Sequence, residues 1–450
     1  MITYPSNKLV KTRKLRLLPN HHQRGFLVKW GIAACILRNH VIGMIKNHPD
    51  NQHLGNPWYI PSAEEISAVV DKVFSEKEWM QQYPKASLLA QVIEMATKLK
   101  DVRLPDIQFK NIRNPKRLFT IAVEDYQLVG HNGIKLLGYG QLQFVKRKRD
   151  WDVPKNPLTA RIRSTADGHI WLELTYLTIP RNTPLFVYNA IGIDVGIKNM
   201  LILSNGTKVG SMIREGAEFY GRAMTLLKRT NAIRAVISKL KSKKKTPWKK
   251  KQIGEQYALL NKFRGSLARI RAKIANRKTH SLHAIVRGLV GCYDVIGVET
   301  INYAGFSQDT RLKTFKARWH HFYQLLENRV KEYGKALVYG NRFLPSSHIC
   351  STTLTRMRQD FKLSLSVREF ECPTCHQIHD RDENASVVIK AMAVNTLLEQ
   401  LKIEEHELKG PIVAFSQFRD RIPRYYDHTM PVQKGHLAFD DMAMSIDKDY

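Results

Sequence analysis

The stretch that most constrains the fold is residues 190–206, in which two short apolar segments flank a glycine-containing turn. Residues 190–194 and 199–204 have the length and composition of buried strands. The Asn205-Gly206 pair is the strongest two-residue hairpin signal, which predicts a third strand after it. Asp194 ends the first strand, where an acid is not core filler. It therefore either caps its own turn or faces a cleft or a cation, and both alternatives fit these residues.

The chain carries a large excess of positive charge. Its 450 residues include 72 Lys and Arg against 40 Asp and Glu, for a formal net charge of +32. Such an excess is difficult to keep on a compact surface unless a polyanion neutralises it, and nucleic acid is the usual one. An anionic membrane is the competing partner. However, no basic amphipathic helix dominates, and no apolar run approaches the about 20 residues that span a bilayer. We therefore predict nucleic-acid partners and no membrane partner.

Cysteine content and the amino-terminal residues bear on the cellular compartment. The five cysteines are odd in number, and two of them form Cys372-x-x-Cys375, which indicates a reducing compartment and a candidate metal site. The first residues, MITYPSNKLVKTRK, lack the apolar core of a signal peptide. We predict a cytoplasmic protein.

The first third of the chain has the pattern of strands interrupted by helices. Residues 9–18 have strand character, and Pro19-Asn20 stops this strand and offers a helix N-cap. A long amphipathic helix follows, in which we expect Trp30 to be core and not a surface for stacking bases. Residues 57–102 are predicted to be mostly helical. From about residue 115, short alternating segments separated by turns indicate the strands of a small barrel.

Basic residues cluster at two places, and in a chain of this charge they favour phosphate contacts over plain solvation. The first cluster lies on the predicted barrel and consists of Lys146, Arg147, Lys148, Arg149, Arg161 and Arg163. The second has eight lysines within residues 239–251, which repel one another unless a partner binds, so we predict a loop between two helices. From this second cluster we assign Lys243, Lys244, Lys245, Lys249, Lys250 and Lys251 to nucleic-acid binding.

Three acids share one kind of setting. Glu299 ends a short apolar strand as Asp194 does, and Asp382 begins an apolar helix. If the two strands lie side by side, their acids converge although they are far apart in sequence, and the helix adds the third. Two Mg²⁺ ions about 3.5–4 Å apart, held by carboxylates, are a common device for phosphodiester hydrolysis. Without a cation, three converging carboxylates repel one another strongly, so the acids predict a metal site.

The chain resembles the TnpB family of transposon-encoded, RNA-guided DNA nucleases, which are related to the type V CRISPR effectors. The resemblance rests on three motifs, Ile191-Gly192-Ile193-Asp194-Val195-Gly196, Ile296-Gly297-Val298-Glu299-Thr300 and Asp380-Arg381-Asp382-Glu383-Asn384-Ala385. It implies an RNase H-like (RuvC-like) nuclease domain. It also implies that Asp194, Glu299 and Asp382 are catalytic residues that hold two Mg²⁺ or Mn²⁺ ions, and that Asp380 is not a ligand.

The resemblance further implies the layout of an α/β multidomain protein. In the family, an amino-terminal β-barrel called the wedge, interrupted by a helical recognition lobe, grips a guide RNA and reads a short DNA motif beside the target. A zinc-ribbon module interrupts the nuclease domain. We predict the wedge at residues 1–20 and 115–187, the recognition lobe at 21–114, the nuclease domain at 188–345 and 380–400, a zinc-ribbon-like insert at 346–379, and a loosely ordered tail at 401–450.

The predicted ribbon departs from the family pattern of two Cys-x-x-Cys knuckles. The second knuckle is intact as Cys372-Pro373-Thr374-Cys375, but the first is Cys350-Ser351-Thr352-Thr353, with Thr where a Cys belongs. Three thiolates can hold Zn²⁺ if a substitute completes the set, and the candidates are His348, His376 and His379. Folding without metal is the equal alternative.

These observations predict an RNA-guided DNA endonuclease that binds guide RNA and target DNA, acts as a monomer and cleaves both strands at one site. Three alternatives remain. They are a miniature type V CRISPR effector, a nuclease-silent RNA-guided DNA-binding repressor and a strand-transferring transposase. The intact acids disfavour the repressor, and the predicted barrel and ribbon disfavour the transposase.

Overall fold

The computed structural model describes residues 9–51, 59–99, 102, 106–112, 117–130, 132–145, 157–181, 185–187, 189–196, 199–210, 215–242, 246–300, 318–340, 346–357 and 367–401. The chain divides into two compact units, and neither is one continuous stretch of sequence. The first unit consists of Met1–Leu9, Ile179–Arg222 and Arg271–Tyr450, and the second of Val10–Thr178 and Ala223–Ile270. The domain boundaries predicted from the sequence are a finer division and stay predictions.

Strand β1 (Leu9–Leu17), which belongs to the second unit except for Leu9, is followed by helix α1 (His21–Asn47), as the sequence predicts. Asn20 caps α1, because its side chain accepts a hydrogen bond from the Gln23 backbone N–H at 2.9 Å while the Gln23 side chain accepts one from the Asn20 N–H at 2.9 Å. Trp30 is fully buried and stacks on Phe119 with 5.0 Å between ring centroids. Trp30 is therefore part of the core, which confirms that expectation.

The second unit continues with two helices and six strands. They are α2 (Ala63–Glu76), α3 (Lys85–Leu99), β2 (Arg117–Ile121), β3 (Tyr126–Val129), β4 (Gly133–Leu136), β5 (Gly140–Gln143), β6 (Thr159–Ser164) and β7 (Ile170–Thr178). One sheet has the order β1-β7-β6-β2 and a second has the order β3-β4-β5. A bridge between Leu17 and Phe144 connects them. Closure of these strands into a barrel stays a prediction.

The first unit is built on a five-stranded sheet with the order β10-β9-β8-β11-β12. Its strands are β8 (Ala190–Val195), β9 (Asn199–Leu203), β10 (Lys208–Gly210), β11 (Val295–Val298) and β12 (Ala336–Tyr339). The strands β8, β9 and β10 pair antiparallel, whereas β11 is parallel to both β8 and β12. The strand predicted after Asn205-Gly206 is β10, so that expectation is confirmed.

Helices cover both faces of this sheet. The odd-numbered residues Ile191, Ile193 and Val195 belong to a core shared with α5 (Pro247–Cys292) and α6 (Trp319–Tyr333). The even-numbered Ala190 belongs to a second core that contains the later residues of α7 (Arg381–Leu401). Because successive residues of a strand point to opposite faces, α7 covers the face to which Asp194 points. A small hairpin of β13 (Glu369–Glu371) and β14 (Ile378–Asp380) precedes α7 directly.

The lysine-rich segment is more helical than predicted. Helix α4 (Tyr220–Lys241) includes Lys239 and Lys241, and α5 begins at Pro247, so Lys249, Lys250 and Lys251 lie in its first turns. Lysines spaced along a helix point in different directions, which relieves their mutual repulsion without a loop. The prediction of a loop over the whole block is therefore wrong. Lys243, Lys244 and Lys245 lie outside the described residues, as do Lys146, Lys148, Arg147 and Arg149.

Among the described residues, α1 is the one helix that is long and apolar enough to cross a membrane. The sequence pattern predicts an amphipathic helix here and no apolar run of spanning length. Its apolar side chains, including Leu37, Ile42 and Ile45, are buried in the core of the second unit. The cytoplasmic location stays a prediction, and the predicted tail lies outside the described residues beyond Leu401.

Candidate active site

Strand register brings Asp194 and Glu299 together. In the parallel pair β8–β11, Ile193 lies opposite Val298, so the next residue of each strand is Asp194 on one and Glu299 on the other. The carboxyl ends of parallel strands meet at the same edge of a sheet. The two side chains share a hydrogen bond. The convergence of acids far apart in sequence is thus a direct consequence of this register.

Two glycines let α7 lie close to the strands that carry these acids. Gly192 and Gly297 are register partners, each two residues before an acid. A Cβ on Gly192 would lie 2.8 Å from the Lys390 Cβ and closer still to the Ser386 carbonyl, and one on Gly297 would lie 2.7 Å from the Ala393 Cβ. Any larger residue would push the helix away. Gly192 and Gly297 are therefore required by close packing of α7. We call the surface that these two glycines form the seat of α7.

The seat of α7 places Asp382 above the first two acids. Asp382 lies one helical turn, about 5.4 Å, before Ser386, which packs on Gly192. Asp194 lies two strand residues, about 6.6 Å, beyond Gly192. Because the two offsets are similar, Asp382 approaches Asp194, and its charge acts on Asp194. The structure thus brings together all three acids that the sequence singles out.

The electrostatics of the three acids indicate a cation site. Burial raises the pKa of Asp194 well above its ordinary value, and the negative charges of Glu299 and Asp382 raise it further. Burial also raises the pKa of Glu299, while the hydrogen bond with Asp194 opposes this effect. Buried carboxylates that cannot all ionise retain a proton unless a cation takes its place. The burial and mutual repulsion of these carboxylates therefore favour the binding of a cation.

Cationic side chains already lie against Asp382. The Arg368 Nη1 donates to Asp382 Oδ2 at 2.8 Å, and the Arg381 Nη2 lies 3.3 Å from Asp382 Oδ1. Beside them, Asp380 Oδ1 accepts hydrogen bonds from the backbone N–H groups of Asp382 at 2.9 Å and Glu383 at 3.0 Å. Asp380 thus caps α7. Sequence reasoning missed Arg368, for which neither spacing nor motif gives a signal.

A second cluster consists of Cys350, Cys372, Cys375 and His379, whose ligand atoms all lie within 4.8 Å of one another. The Cys350 and Cys375 sulfurs are 3.5 Å apart, and the His379 Nε2 lies 3.9 Å from the first and 3.4 Å from the second. Ligands at 2.0–2.3 Å in a tetrahedron lie about 3.5–3.8 Å from one another. This Cys/His cluster therefore fits Zn²⁺, and its soft thiolates exclude Mg²⁺ as the natural occupant.

The structure identifies His379 as the fourth member of the cluster, for which the sequence left three candidate histidines. Of the histidines considered, it belongs to the Cys/His cluster. His376 instead has a side chain that is 77% exposed and lies 3.7 Å from a Glu371 carboxylate oxygen. Thr353, at the position of the missing cysteine, donates a hydrogen bond to the Cys350 sulfur. The chain thus compensates for the lost cysteine from β14 and not from the first knuckle.

The Cys/His cluster is tied to the start of α7. The Ser351 N–H donates to the Asn384 Oδ1 at 2.7 Å, and the Asn384 Nδ2 donates to the Ile349 carbonyl at 2.7 Å. These two bonds hold both neighbours of Cys350 against the helix that carries Asp382. His379, through β14, precedes the helix cap Asp380 directly. Two short connections therefore link the two clusters.

The predicted phosphate-binding arginines have partners within the second unit. Arg163 makes a two-point contact with Glu173, at 2.7 and 3.1 Å. Arg161 pairs with Glu94 on α3. Both arginines thus pair with acids of their own unit, and their role in nucleic-acid binding stays a prediction. Trp248, which is 62% exposed beside Lys249, was not singled out by sequence reasoning.

Comparison with known families matches two parts of the chain. The family model described as Probable transposase matches residues 182–309, which contain Asp194 and Glu299. The family model described as Cas12f1-like, TNB domain matches residues 319–389, which contain the Cys/His cluster and Asp382. These matches confirm the resemblance to a TnpB-like family that the motifs predict.

Curated relatives match over part of their length. A Streptomyces pristinaespiralis protein named "Putative RNA-guided DNA endonuclease" is 31% identical over 199 residues, which are 44% of this chain and 43% of the relative. A Mycobacterium tuberculosis protein with a name of the same kind is 27% identical over 129 residues, 27% of each chain. The match thus spans less than half the length of these relatives.

Two solved structures are similar at low identity. One, described as the Cas12f1-sgRNA-target DNA complex, covers 86% of this chain and 99% of its own, with 12% identity and a TM-score of 0.43. Another, described as the CRISPR-Cas12f ternary complex, covers 82% of each chain, with 11% identity and a TM-score of 0.27. Both TM-scores are below 0.5, so neither establishes a shared fold.

Proposed function

We propose that this chain is an RNA-guided DNA endonuclease whose single nuclease site is formed by Asp194, Glu299 and Asp382. The observation that carries the proposal is the convergence of these three acids at the end of parallel strands, beneath a helix seated on glycines. The order and directions of the five strands support an RNase H-like nuclease domain. The names of the matched relatives support the RNA-guided activity.

Three carboxylates are a suitable donor set for Mg²⁺ or Mn²⁺, which take hard oxygen ligands. Arg368 and Arg381 pair with Asp382, so a metal ion bound by Asp382 would replace part of this pairing. Asp194, Glu299 and Asp382 would hold two such ions. When bound, the metal would stabilise the attacking and leaving oxygens of phosphodiester hydrolysis.

The chain's own part in this chemistry is to fix the positions of the acids. Strand register fixes Asp194 beside Glu299, and the Tyr323 hydroxyl donates to the Glu299 carbonyl at 3.1 Å, which holds the end of β11. Packing of α7 on Gly192 fixes the direction from which Asp382 approaches. Rigid elements position reactive groups better than loops do, because less motion has to be frozen in the reaction.

The Cys/His cluster would hold one structural Zn²⁺ with three thiolates and one imidazole. The distances between its ligand atoms support a tetrahedral site. All four coordination positions are taken by protein, so the ion would have no open position for a substrate. Its role would be to organise the residues on either side of Cys350 and Cys375.

The partners we propose are a guide RNA and a target DNA, bound by a monomer. The net charge of +32 supports binding to a polyanion. In this reading, β1–β7 form the wedge and α1–α3 the recognition lobe. Lys249, Lys250 and Lys251 contact phosphates from the first turns of α5. The basic residues outside the described ranges keep the same proposed role.

The test is cleavage by the purified protein with its copurifying RNA. That RNA is sequenced, and a plasmid carrying the matching target is offered with Mg²⁺. Asp194→Ala, Glu299→Ala and Asp382→Ala should each lower the cleavage rate by a factor of about 1,000 or more. Every loss of about 1.4 kcal/mol of transition-state stabilisation lowers the rate tenfold, and each acid supplies several kcal/mol through the metal. Binding of the target should be nearly unchanged.

The matched control is Glu332→Gln, an acid of the same unit that pairs with Arg329 on α6. It should cleave at the wild-type rate. If Asp194→Ala cleaved at a rate comparable to the wild type, the site assignment would be wrong. If no RNA copurified and the protein cleaved DNA without one, the RNA-guided activity would be wrong and the site could still stand.

A further inference from the structure

Lys208 lies in the same row of the sheet as the candidate metal ligands. On β10 it is opposite Ile202 of β9, and Ile202 is opposite Asp194 of β8. Residues directly opposite each other on neighbouring strands point to the same face. Lys208 therefore points to the face covered by α7, two strands, or about 9.6 Å, away from Asp194. One row thus carries a lysine at the sheet edge and acids at the centre.

The Lys208 side chain joins this row to the first turn of α7. Its Nζ lies 2.8 Å from Asp380 Oδ2 and 2.9 Å from Glu383 Oε1. The other oxygen of Asp380 accepts the backbone N–H groups of Asp382 and Glu383. One carboxylate therefore connects the edge strand with the backbone of Asp382. This connection joins the first turn of the helix to the edge strand, whereas Gly192 and Gly297 on the inner strands β8 and β11 carry its later turns.

We propose that Lys208 and Asp380 are positioning residues that set the place of Asp382 above Asp194. This inference rests on the proposed function, in which Asp382 is a metal ligand. The seat on the glycines fixes how closely α7 approaches the sheet. The Lys208–Asp380 contact fixes where its first turn lies along the row. A carboxylate at the end of a helix needs both restraints, because the first turn of a helix frays readily.

The Lys208–Asp380 ion pair should contribute little to the stability of the fold. The side chains of Lys208 and Asp380 are 38% and 27% exposed, and such partly exposed pairs contribute little to the free energy of unfolding. A displacement of a reacting group by about 1 Å, in contrast, lowers a rate about 100-fold. A positioning role and a structural role therefore predict different measurements.

The experiment compares Lys208→Met, Lys208→Arg and Asp380→Asn in the full chain with its RNA. Single-turnover cleavage at saturating target should fall about 10- to 100-fold in Lys208→Met and Asp380→Asn, with target affinity and Tm nearly unchanged. Lys208→Arg should restore most of the rate, because it keeps the charge. The double variant Lys208→Met/Asp380→Asn should lose less rate than the product of the two single losses, because both changes remove the same Lys208–Asp380 contact.

A second measurement does not depend on activity. Amide hydrogen exchange of the first turns of α7, followed by mass spectrometry on the metal-free protein, should be faster in Lys208→Met than in the wild type. The matched control is Lys85→Met, which removes a half-exposed ion pair with Asp71 in the second unit. It should change neither the cleavage rate nor the exchange of α7.

The outcomes separate this inference from the proposed function. If Asp194→Ala is inactive while Lys208→Met has the wild-type rate and exchange, the positioning role is wrong and the site stands. If Lys208→Met loses rate only in proportion to a lower Tm, the contact is structural and the positioning role is wrong as well. If Asp194→Ala is active, the proposed function fails on its own evidence.

Discussion

The carboxylate site and the Cys/His cluster are built in different ways, although His379 and Asp382 are only a few residues apart. The carboxylate site collects its members from β8, from the end of β11 and from α7, and depends on sheet register and on a helix seated on glycines. The Cys/His cluster collects its members from two tight turns and the strand that follows the second. The carboxylate site should lose activity when the backbone moves, and the Cys/His cluster should lose its metal when a ligand is removed.

The difference also concerns charge. The acids repel one another, and burial raises the pKa values of Asp194 and Glu299, so the site is strained without a cation. The Cys/His cluster is neutral when its thiols are protonated and forms a compact core with Met357 and Phe370. Metal binding would therefore relieve repulsion at the first site. At the second it would add folding free energy to a segment with a small core.

Of the variants that distinguish the two sites, Gly192→Ala should have the largest effect. The new methyl group would collide with the Ser386 carbonyl and the Lys390 backbone, so α7 must move. We expect the cleavage rate to fall about 100-fold and the unfolding free energy by about 1–3 kcal/mol. Zinc content should stay at the wild-type level. Cleavage kinetics, thermal unfolding and elemental analysis measure the three quantities.

The control for this variant is Gly210→Ala on β10, where an added Cβ meets nothing within 4 Å. It should be close to wild type in all three measurements. A Gly192→Ala protein with an unchanged rate would show that the position of α7 does not govern the carboxylate site, and the comparison between the two sites would lose its basis.

Sequence reasoning reached the carboxylate site because each acid ends an apolar strand or begins an apolar helix. The sequence also carries the reason for α7 packing, the glycine two residues before each strand acid, but the pattern alone does not say what those glycines contact. Lys208 and Arg368 were out of reach. The Lys208 contact depends on which edge of the sheet faces the first turn of α7. The Arg368 contact depends on the β13–β14 pairing that brings Arg368 beside Arg381, and no local spacing records either.

The Cys/His cluster was half predictable for a similar reason. Three cysteines and three neighbouring histidines define the chemistry of the site, but the choice among the histidines depends on the β13–β14 pairing. In that hairpin His379 lies opposite Phe370. The prediction of one loop across residues 239–251 failed because charge repulsion was weighed without the helical geometry that spreads the lysines.

A smaller effect on cleavage is expected from Cys375→Ser, which removes one ligand of the Cys/His cluster. The wild-type protein should contain about one Zn²⁺ and the variant much less, because three remaining ligands hold the ion weakly. Cleavage should slow moderately with target binding retained, since the links from Ser351 and His379 to α7 loosen. Cys292→Ser, an exposed cysteine outside the cluster, is the control. Equal zinc content in both variants would contradict the site.

The substitute ligand can be exchanged for the missing one. His379→Ala should lower zinc content as Cys375→Ser does. Thr353 already contacts the Cys350 sulfur, so Thr353→Cys in the His379→Ala background would place a thiolate beside the first ligand and should restore part of the zinc. Thr353→Cys alone should change little, because His379 already completes the set. Zinc content and Tm of the four proteins form the measurement. No recovery in the double variant would show that the first knuckle no longer faces the second.

The smallest effect concerns α5 and α6, which pack on the face of the sheet opposite to α7. Burial lowers the pKa of His283, and the nearby His321 and Arg287 lower it further. Burial also lowers the pKa of His321. The unfolded chain therefore takes up protons at a higher pH than the folded chain does. Stability should be full well above the ordinary histidine pKa of about 6.5 and decrease as the pH falls through it.

We expect a modest drop in the Tm of the metal-free protein between about pH 7.5 and pH 5.5, and a smaller drop in His283→Gln, which removes one of these groups. The control is His376→Gln, whose parent side chain is largely exposed. It should follow the wild-type profile. Because α5 and α6 supply no member of either cluster, the zinc content of His283→Gln prepared with zinc should equal that of the wild type at each pH. If His283→Gln lost Tm as steeply as the wild type, other groups would carry the acid sensitivity of this unit, and the α5–α6 packing would not be its source.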